Sequence, residues 1–308
     1  MKKIKIQVPG TIANLVCGFD ILGMAINEPF DEMEFTLLEE RKVIIHHEDA
    51  FNLPIEPEKN VAGVVLMKIL EKLGNQNIGF EVKINKKIKP GSGLGSSAAS
   101  AAGAAFGANE LLGNVFTKEE LVDFAMYGEE LASGSRHADN IAPCLFGGVT
   151  LVKSSEPIDI IPLSSPDLYV AAVHPQVEVK TSDARQILKK NIKMKDAITQ
   201  WGNVAGLVTG ILKNDFSLIS RSLEDVLVEP VRSILIPKFD EVKQKSLALG
   251  ALGGGISGSG PSIFMLCETK KIAESVSEMM QKTYASIHIE SFAYVSKIND
   301  KGIKIINN

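Results

Sequence analysis

The chain has 308 residues, 45% of them hydrophobic and 23% charged, with a formal net charge of −4. That suits a globular protein of one large or two medium domains, and the charge gives no support to a nucleic-acid partner. Cys17, Cys144 and Cys267 have neither metal-ligand nor disulfide-framework spacing. The start "MKKIKIQVPG" has no apolar stretch of signal-peptide length, and no apolar run approaches the roughly 18 residues of a membrane span. A cytoplasmic protein with reduced thiols and no membrane partner is expected.

In chain order, Ile4, Ile6 and Val8 alternate as a strand that Pro9 and Gly10 are expected to end. "EKNVAGVVLMKILEKLG" predicts a helix with Val61, Val64, Val65, Leu66, Ile69, Leu70 and Leu73 on one face and a stop at Gly74. Phe80, Val82 and Ile84 alternate as a second strand. "PGSGLGSSAASAAG" (residues 90–103) then opens a helix over 97–112, and "TKEELVDFAMYGEEL" is a further helix capped by Thr117 with Glu120 three residues on. "GGVTLVK" reads as a short strand.

In the second half, "PDLYVAAVHP" is a buried strand ending at Pro175, followed by helical patterns over 181–188, 194–212 and 236–249. "GALGGGISGSGPSIFMLCE" is a second glycine-rich segment running into an apolar strand. "KKIAESVSEMMQKTYA" reads as a helix and "IHIESFAYV" as an alternating strand. Strands and helices are mixed in both halves, and the Ser- and Pro-rich stretch 154–166 is expected to divide a domain 1–157 from a domain 158–308.

The first glycine loop fits neither common nucleotide fingerprint. A Walker loop needs Gly-Lys-Ser/Thr, and no lysine follows Gly93 or Gly95. A dinucleotide fingerprint needs a third glycine where Ser96 stands. A different physics remains. Gly93 and Gly95 can adopt positive φ and turn backbone N–H groups inward. Ser96 and Ser97 then open a helix whose first N–H groups are unpaired and electropositive, an anion site. A serine hydroxyl there could also ligate Mg²⁺. From these residues alone, a tight turn leading into a small-residue helix stays open.

The whole pattern Pro-x-x-x-Gly-Leu-Gly-Ser-Ser-Ala resembles the phosphate loop of the GHMP small-molecule kinases. "VPGTIANLVCGFDILGMA" and "GGGISGSGPSIFML" are similar to that family's other two motifs and stand in the same order, so the likeness spans essentially the full chain. "NLVCGFD" and "GEELASGSRHADNIAPCLFGG" are similar to the homoserine-phosphorylating branch, except that Val16 and Cys17 replace a usual Gly-Pro.

The resemblance implies a fold of two α+β domains, a ribosomal-protein-S5-domain-2-like N-terminal one and a ferredoxin-like C-terminal one, with the site between them. It also implies transfer of the ATP γ-phosphoryl to the side-chain hydroxyl of L-homoserine, a step of threonine biosynthesis, with Mg²⁺, and suggests a homodimer. ATP contacts are implied at Asn60 and Val61 for adenine, and at Pro90, Gly91, Ser92, Gly93, Leu94, Gly95, Ser96 and Ser97 for the phosphates. Mg²⁺ is implied at Ser97 and Glu129, with adjacent Glu130 the alternative. Substrate contacts are implied at Asn14, Asp20, His137, Thr181, Arg185 and Arg232. Asn14 and Asn140 would serve the hydroxyl, with Asp139 structural.

The residue types suit that substrate. An arginine fork binds a carboxylate through two bonds, and Asp20 suits an ammonium. Three rivals stand beside this reading: a kinase of the same fold acting on mevalonate, which has no ammonium for Asp20; a non-catalytic relative; and a nicotinamide-binding protein.

Overall fold

The computed structural model describes residues 2–163, 165–179 and 181–306, apart from the side chains of Thr181 and Ser182. The first unit comprises β1 (Lys3–Ala13), β2 (Leu22–Leu38), β3 (Val43–His47), α1 (Val61–Lys72), β4 (Gly79–Asn85), α2 (Ser96–Leu112), α3 (Lys118–Ser133), α4 (Ile141–Phe146), β5 (Val149–Ser155) and β6 (Ile158–Leu163). The second comprises β7 (Tyr169–Pro175), α5 (Thr181–Gln186), α6 (Met194–Lys213), α7 (Phe216–Ser222), α8 (Glu229–Arg232), α9 (Phe239–Ala248), β8 (Gly253–Ile256), β9 (Ile263–Cys267), α10 (Lys270–Ala285) and β10 (Ser291–Lys297). A last short strand, β11 (Lys304–Ile305), returns to the first sheet beside β1.

The first sheet runs β11-β1-β2-β4-β3, and β5 joins β2 and carries β6. Its pairings are antiparallel except β3 with β4. β2 can be 17 residues long because it serves two neighbours on one edge: residues 22–24 pair with β5 and residues 32–38 with β4. The second sheet is antiparallel, in the order β10-β7-β9-β8. Two sheets with helices packed on them are the α+β architecture expected.

Several boundaries differ from the sequence reading: the helix at 181 ends at Gln186 rather than 188, the last long strand begins at Ser291 rather than Ile287, and three further differences have a visible cause. β1 does not stop at Pro9 and Gly10: it continues to Ala13 through a register shift between those two residues. A bulge tolerates a residue with no N–H, and glycine is needed next because a Cβ on Gly10 would lie 2.8 Å from the Pro29 carbonyl oxygen. α9 begins at Phe239 rather than Ile236, because Pro237 holds Ile236 in an extended conformation. The hairpin β5–β6 lies in one sheet, so the first sheet runs past residue 157. We propose that the domains divide within residues 164–168 and that β11 completes the first.

α2 explains the run of alanines. It is buried on nearly every side, with Ala98, Ala99, Ala101, Ala102, Ala104, Ala105 and Ala108 inaccessible. Cβ atoms on Gly103 and Gly107 would come within 2.4 Å of Met33 Sδ and the Phe35 ring respectively. Small residues let the helix lie close on β1 and β2 between α1 and α3, and this fixes where its N-terminus points.

Candidate active site

The loop before α2 is held open by three left-handed glycines, with φ of +74° at Gly91, +83° at Gly93 and +70° at Gly95. Gly95 is the N-cap, and no side chain satisfies the first amides of α2. They face a cleft of about 340 Å³ lined by Pro90, Gly91, Gly93, Gly95, Ser96 and Ser97 from the loop, and by Asn60 and Val61 from the start of α1.

Ser92 and Leu94 point elsewhere. Ser92 Oγ accepts the Leu94 N–H at 3.2 Å, and Leu94 is buried in the core. These two shape the loop from behind. Ser96 lines the cleft, but its hydroxyl donates to the Ile88 carbonyl at 2.8 Å.

Beneath the loop lies a buried ion pair. Lys86 Nζ donates to Asp31 Oδ2 at 2.5 Å, to the Ser96 carbonyl at 3.0 Å and to Ser100 Oγ at 2.9 Å. Asp31 Oδ1 accepts the N–H groups of Lys87 and Ile88. Every strong donor and acceptor of the pair is used, the condition for burying charge without large cost. The second glycine-rich segment caps the loop from the other side: the turn between β8 and β9 brings Ser257 Oγ within 2.6 Å of the Gly93 carbonyl, and Gly258 and Ser259 line the cleft.

At the start of α1, Asn60 is fully engaged. Its Oδ1 accepts the Ala62 and Gly63 N–H groups, capping α1, and its Nδ2 donates to the Pro54 carbonyl and His47 Nε2. His47 Nδ1 in turn meets Asp49 at 3.0 Å. Asn60 thus caps α1 and lines the cleft at the same time.

Of the two adjacent glutamates, Glu129 lines the cleft. Glu129 Oε2 accepts the Ser97 hydroxyl at 2.8 Å and faces the cleft, whereas Glu130 is exposed. Burial raises the Glu129 pKa above its ordinary value, with the Ser97 hydroxyl opposing. Asp139, 5% exposed, also lines the cleft. Burial, and then the negative charges of Asp20 and Glu129, push its carboxyl up to about 7. Asn140 lies beside it with Oδ1 accepting the Thr11 hydroxyl at 2.8 Å.

The opposite wall carries paired charges. The turn after β1 takes positive φ at Asn14, Leu15, Val16 and Asp20, a costly conformation for β-branched Val16, where a glycine would be at ease. Asn14 Nδ2 donates to the Gly258 carbonyl at 2.9 Å, and its Oδ1 accepts the Asp20 N–H at 3.0 Å. Arg185, from α5, forms a two-bonded pair with Asp20 at 3.0 and 3.3 Å. Arg232, 3% exposed, donates Nε to the Ala184 carbonyl and Nη1 to Gly258 and stacks 4.9 Å from the Phe19 ring centroid. Burial, reinforced by Arg185, lowers its pKa to about 10. His137 bonds Ser135 Oγ through Nε2, and burial lowers its pKa, with Asp20 opposing. The side chain of Thr181 lies outside the described residues.

The pattern "GHMP kinases N terminal domain" matches residues 60–148, and "GHMP kinases C terminal" matches residues 207–286. A homoserine kinase of Chloroherpeton thalassium is 45% identical over 99% of this chain and 100% of its own length. The chain belongs to the homoserine kinases of the GHMP kinase family. A homoserine kinase of Methanococcus maripaludis is 42% identical over 89% of this chain and 91% of its own. The crystal structure of the Cytophaga hutchinsonii homoserine kinase superposes with a TM-score of 0.94 at 48% identity, covering 99% of this chain and 98% of that one. Galactokinase of Lactococcus lactis shares the fold alone, with a TM-score of 0.72 at 13% identity and coverage of 99% and 95%. As a GHMP kinase the chain uses ATP.

Set against the family's motifs, Asn14, Asp20, His137, Asn140, Arg185 and Arg232 line the same cleft as the glycine loop and Glu129. Sequence reading passed over His47, Leu53, Pro54 and Lys59 at the adenine end, Lys86 and Ser100 under the loop, and Thr11. "KINKKIKP" did signal a lysine next to the loop, but not which of its lysines turns inward.

Proposed function

We infer that the protein transfers the γ-phosphoryl group of ATP to the side-chain hydroxyl of L-homoserine, giving O-phospho-L-homoserine and ADP. The observation that carries this is the charge set Asp20, Arg185 and Arg232 lining the same cleft as the glycine loop and helix tip. A zwitterionic amino alcohol matches that set. Its ammonium replaces Arg185 as the partner of Asp20, and its carboxylate takes the two guanidinium groups. Mevalonate offers a carboxylate only, so it would part Arg185 from Asp20 and leave the aspartate without a counter-charge. The mevalonate kinases that share the fold do so at 15–17% identity.

The amides of residues 93–97 and the electropositive start of α2 receive the polyphosphate. Val61 and the His47–Asn60 wall hold the adenine. The acceptor oxygen forms a bond to the γ-phosphorus as the bond to the β-phosphate oxygen breaks. Such transfers pass through a loose transition state, so alignment by Asn14 and Asn140 supplies much of the catalysis.

A hard, oxygen-binding cation fits Ser97 and Glu129. Their oxygens adjoin the helix tip, no lysine or arginine forms a salt bridge with Glu129 among the described residues, and there no cluster of three His, Cys, Asp or Glu side chains forms a closed metal site. Mg²⁺ there supplies charge neutralisation of the β- and γ-phosphates. Asp139 favours a second reading of one step: a carboxyl titrating near neutrality in the cleft can take the hydroxyl proton.

The proposal places the enzyme in the cytoplasm, as a homodimer. Among the described residues no helix is long and apolar enough to cross a membrane.

A coupled ADP-release assay over a panel of alcohols tests the function. Homoserine should be preferred over mevalonate by orders of magnitude in kcat/KM; equal use of both, or ATP binding without turnover of any alcohol, would overturn it.

A further inference from the structure

We propose that Thr11 is a positioning residue that holds the Asn140 amide in place against the acceptor hydroxyl, with its NH₂ end presented there. This rests on the phosphoryl-transfer reading above. Thr11 stands near the end of β1 and is fully buried. Its hydroxyl donates to Asn140 Oδ1 at 2.8 Å, and its main-chain N–H donates to the Leu94 carbonyl at 3.1 Å. The phosphate loop is shaped around that hydroxyl: a Cβ on Gly95 would lie 1.9 Å from Thr11 Oγ1 and 3.2 Å from Asn140 Oδ1. One threonine thus ties the nucleotide half of the cleft, through its backbone, to the acceptor half, through its side chain.

The chemistry follows from the amide's two ends. Oδ1 is occupied by Thr11, while Nδ2 makes no hydrogen bond among the described residues, and Asn140 lines the cleft. An NH₂ can only donate. It can hold a lone pair of the acceptor oxygen and so keep that oxygen in line with the γ-phosphorus. It cannot receive the hydroxyl proton, which passes instead to an oxygen of the transferring γ-phosphoryl group as the new bond to phosphorus forms. The Thr11 bond is the one hydrogen bond of the Asn140 side chain among the described residues, so without that hydroxyl the amide is free to swing or turn over. A carbonyl end would then grip the hydroxyl hydrogen and draw the oxygen out of line.

The test is a double-mutant cycle in the ADP-release assay, with Thr11→Val, Thr11→Ser, Asn140→Ala and the Thr11→Val/Asn140→Ala pair. Thr11→Val should lower kcat about 10- to 100-fold while the KM for ATP stays within about threefold. Thr11→Ser, which keeps the hydroxyl, should recover kcat to within about fivefold of wild type. The double variant should be no slower than Asn140→Ala by more than about twofold, because a missing amide leaves nothing to orient.

A Thr11→Val enzyme within twofold of wild-type kcat, or losses that multiply in the pair, would overturn the proposal. If Thr11→Val does not fold, Thr11→Ala, which removes the hydroxyl without bulk, takes its place in the same cycle. A wild type inactive with homoserine would overturn the functional reading and this proposal together. An active wild type with an unaffected Thr11→Val overturns this proposal alone.

Discussion

Gly93 stands where the two glycine-rich motifs meet, and replacing it by alanine gives a graded effect. Its φ is +83°, and a Cβ there would lie 2.7 Å from the Ser257 carbonyl oxygen and 2.8 Å from that of Gly260. Both neighbours are backbone, so neither can swing aside like a side chain. The left-handed conformation costs an alanine about 1–2 kcal/mol, and forcing the contact adds about 1–3 kcal/mol. A total of about 2–5 kcal/mol should lower Tm by about 5 °C or more.

Part of that cost is relieved if the loop and the turn between β8 and β9 separate, which would move the amides meant for the phosphates. kcat/KM for ATP should then fall about 10- to 100-fold. Gly74→Ala is the control: Gly74 has φ +71°, but nothing lies within 4 Å of its added Cβ. It bears the backbone cost without the contact. Differential scanning calorimetry and initial rates on both variants decide the matter. If Gly93→Ala behaves like Gly74→Ala in both readouts, the contact between the two motifs does not hold the phosphate loop in place.

Arg232→Ala should raise the KM for homoserine by about 30-fold or more, the loss of about 2 kcal/mol from a charge-assisted pair, and leave the KM for ATP nearly unchanged in steady-state kinetics. Ser97→Ala should lower kcat and raise the Mg²⁺ concentration needed for half-maximal rate, read from a metal titration. Asp139→Asn should alter stability with a defined sign. The folded-state pKa of Asp139 is raised to about 7, so the folded protein holds its proton more tightly than the unfolded chain and loses stability as pH rises from about 4 through 7. The Tm advantage of Asp139→Asn over wild type should therefore be larger at pH 8 than at pH 5. If Asp139 also takes the hydroxyl proton, an inflection of kcat near pH 7 should vanish in that variant.

Local chemistry made the phosphate loop and α2 legible in the sequence. Three glycines that need positive φ, a serine start and alanines that permit close packing all point the same way. The capping box at Thr117 was equally local, and both of its bonds are present.

What could not be read depended on partners far along the chain. Pro9 looks like a strand end, since it lacks an N–H, and only the partner strand β2 shows that the chain passes through a bulge there. The length of β2 follows from its having two neighbours on one edge, which no period in "NEPFDEMEF" encodes. The motif resemblance brought Asp20 and Arg185 to one site, but their mutual pairing across 165 residues could not be seen. Likewise "HADN" contains both Asp139 and Asn140, yet the burial that perturbs the first and the Thr11 bond that orients the second arise only when β1 and α4 meet.

The central claim concerns where two charged molecules sit, and a ternary complex with a non-hydrolysable ATP analogue and homoserine tests it most directly. The γ-phosphate should lie within hydrogen-bond distance of main-chain N–H groups of residues 93–97, with the amino acid's ammonium at Asp20 and its carboxylate between Arg185 and Arg232. A triphosphate seated away from that loop, or an amino acid bound with its charges reversed, would contradict the account.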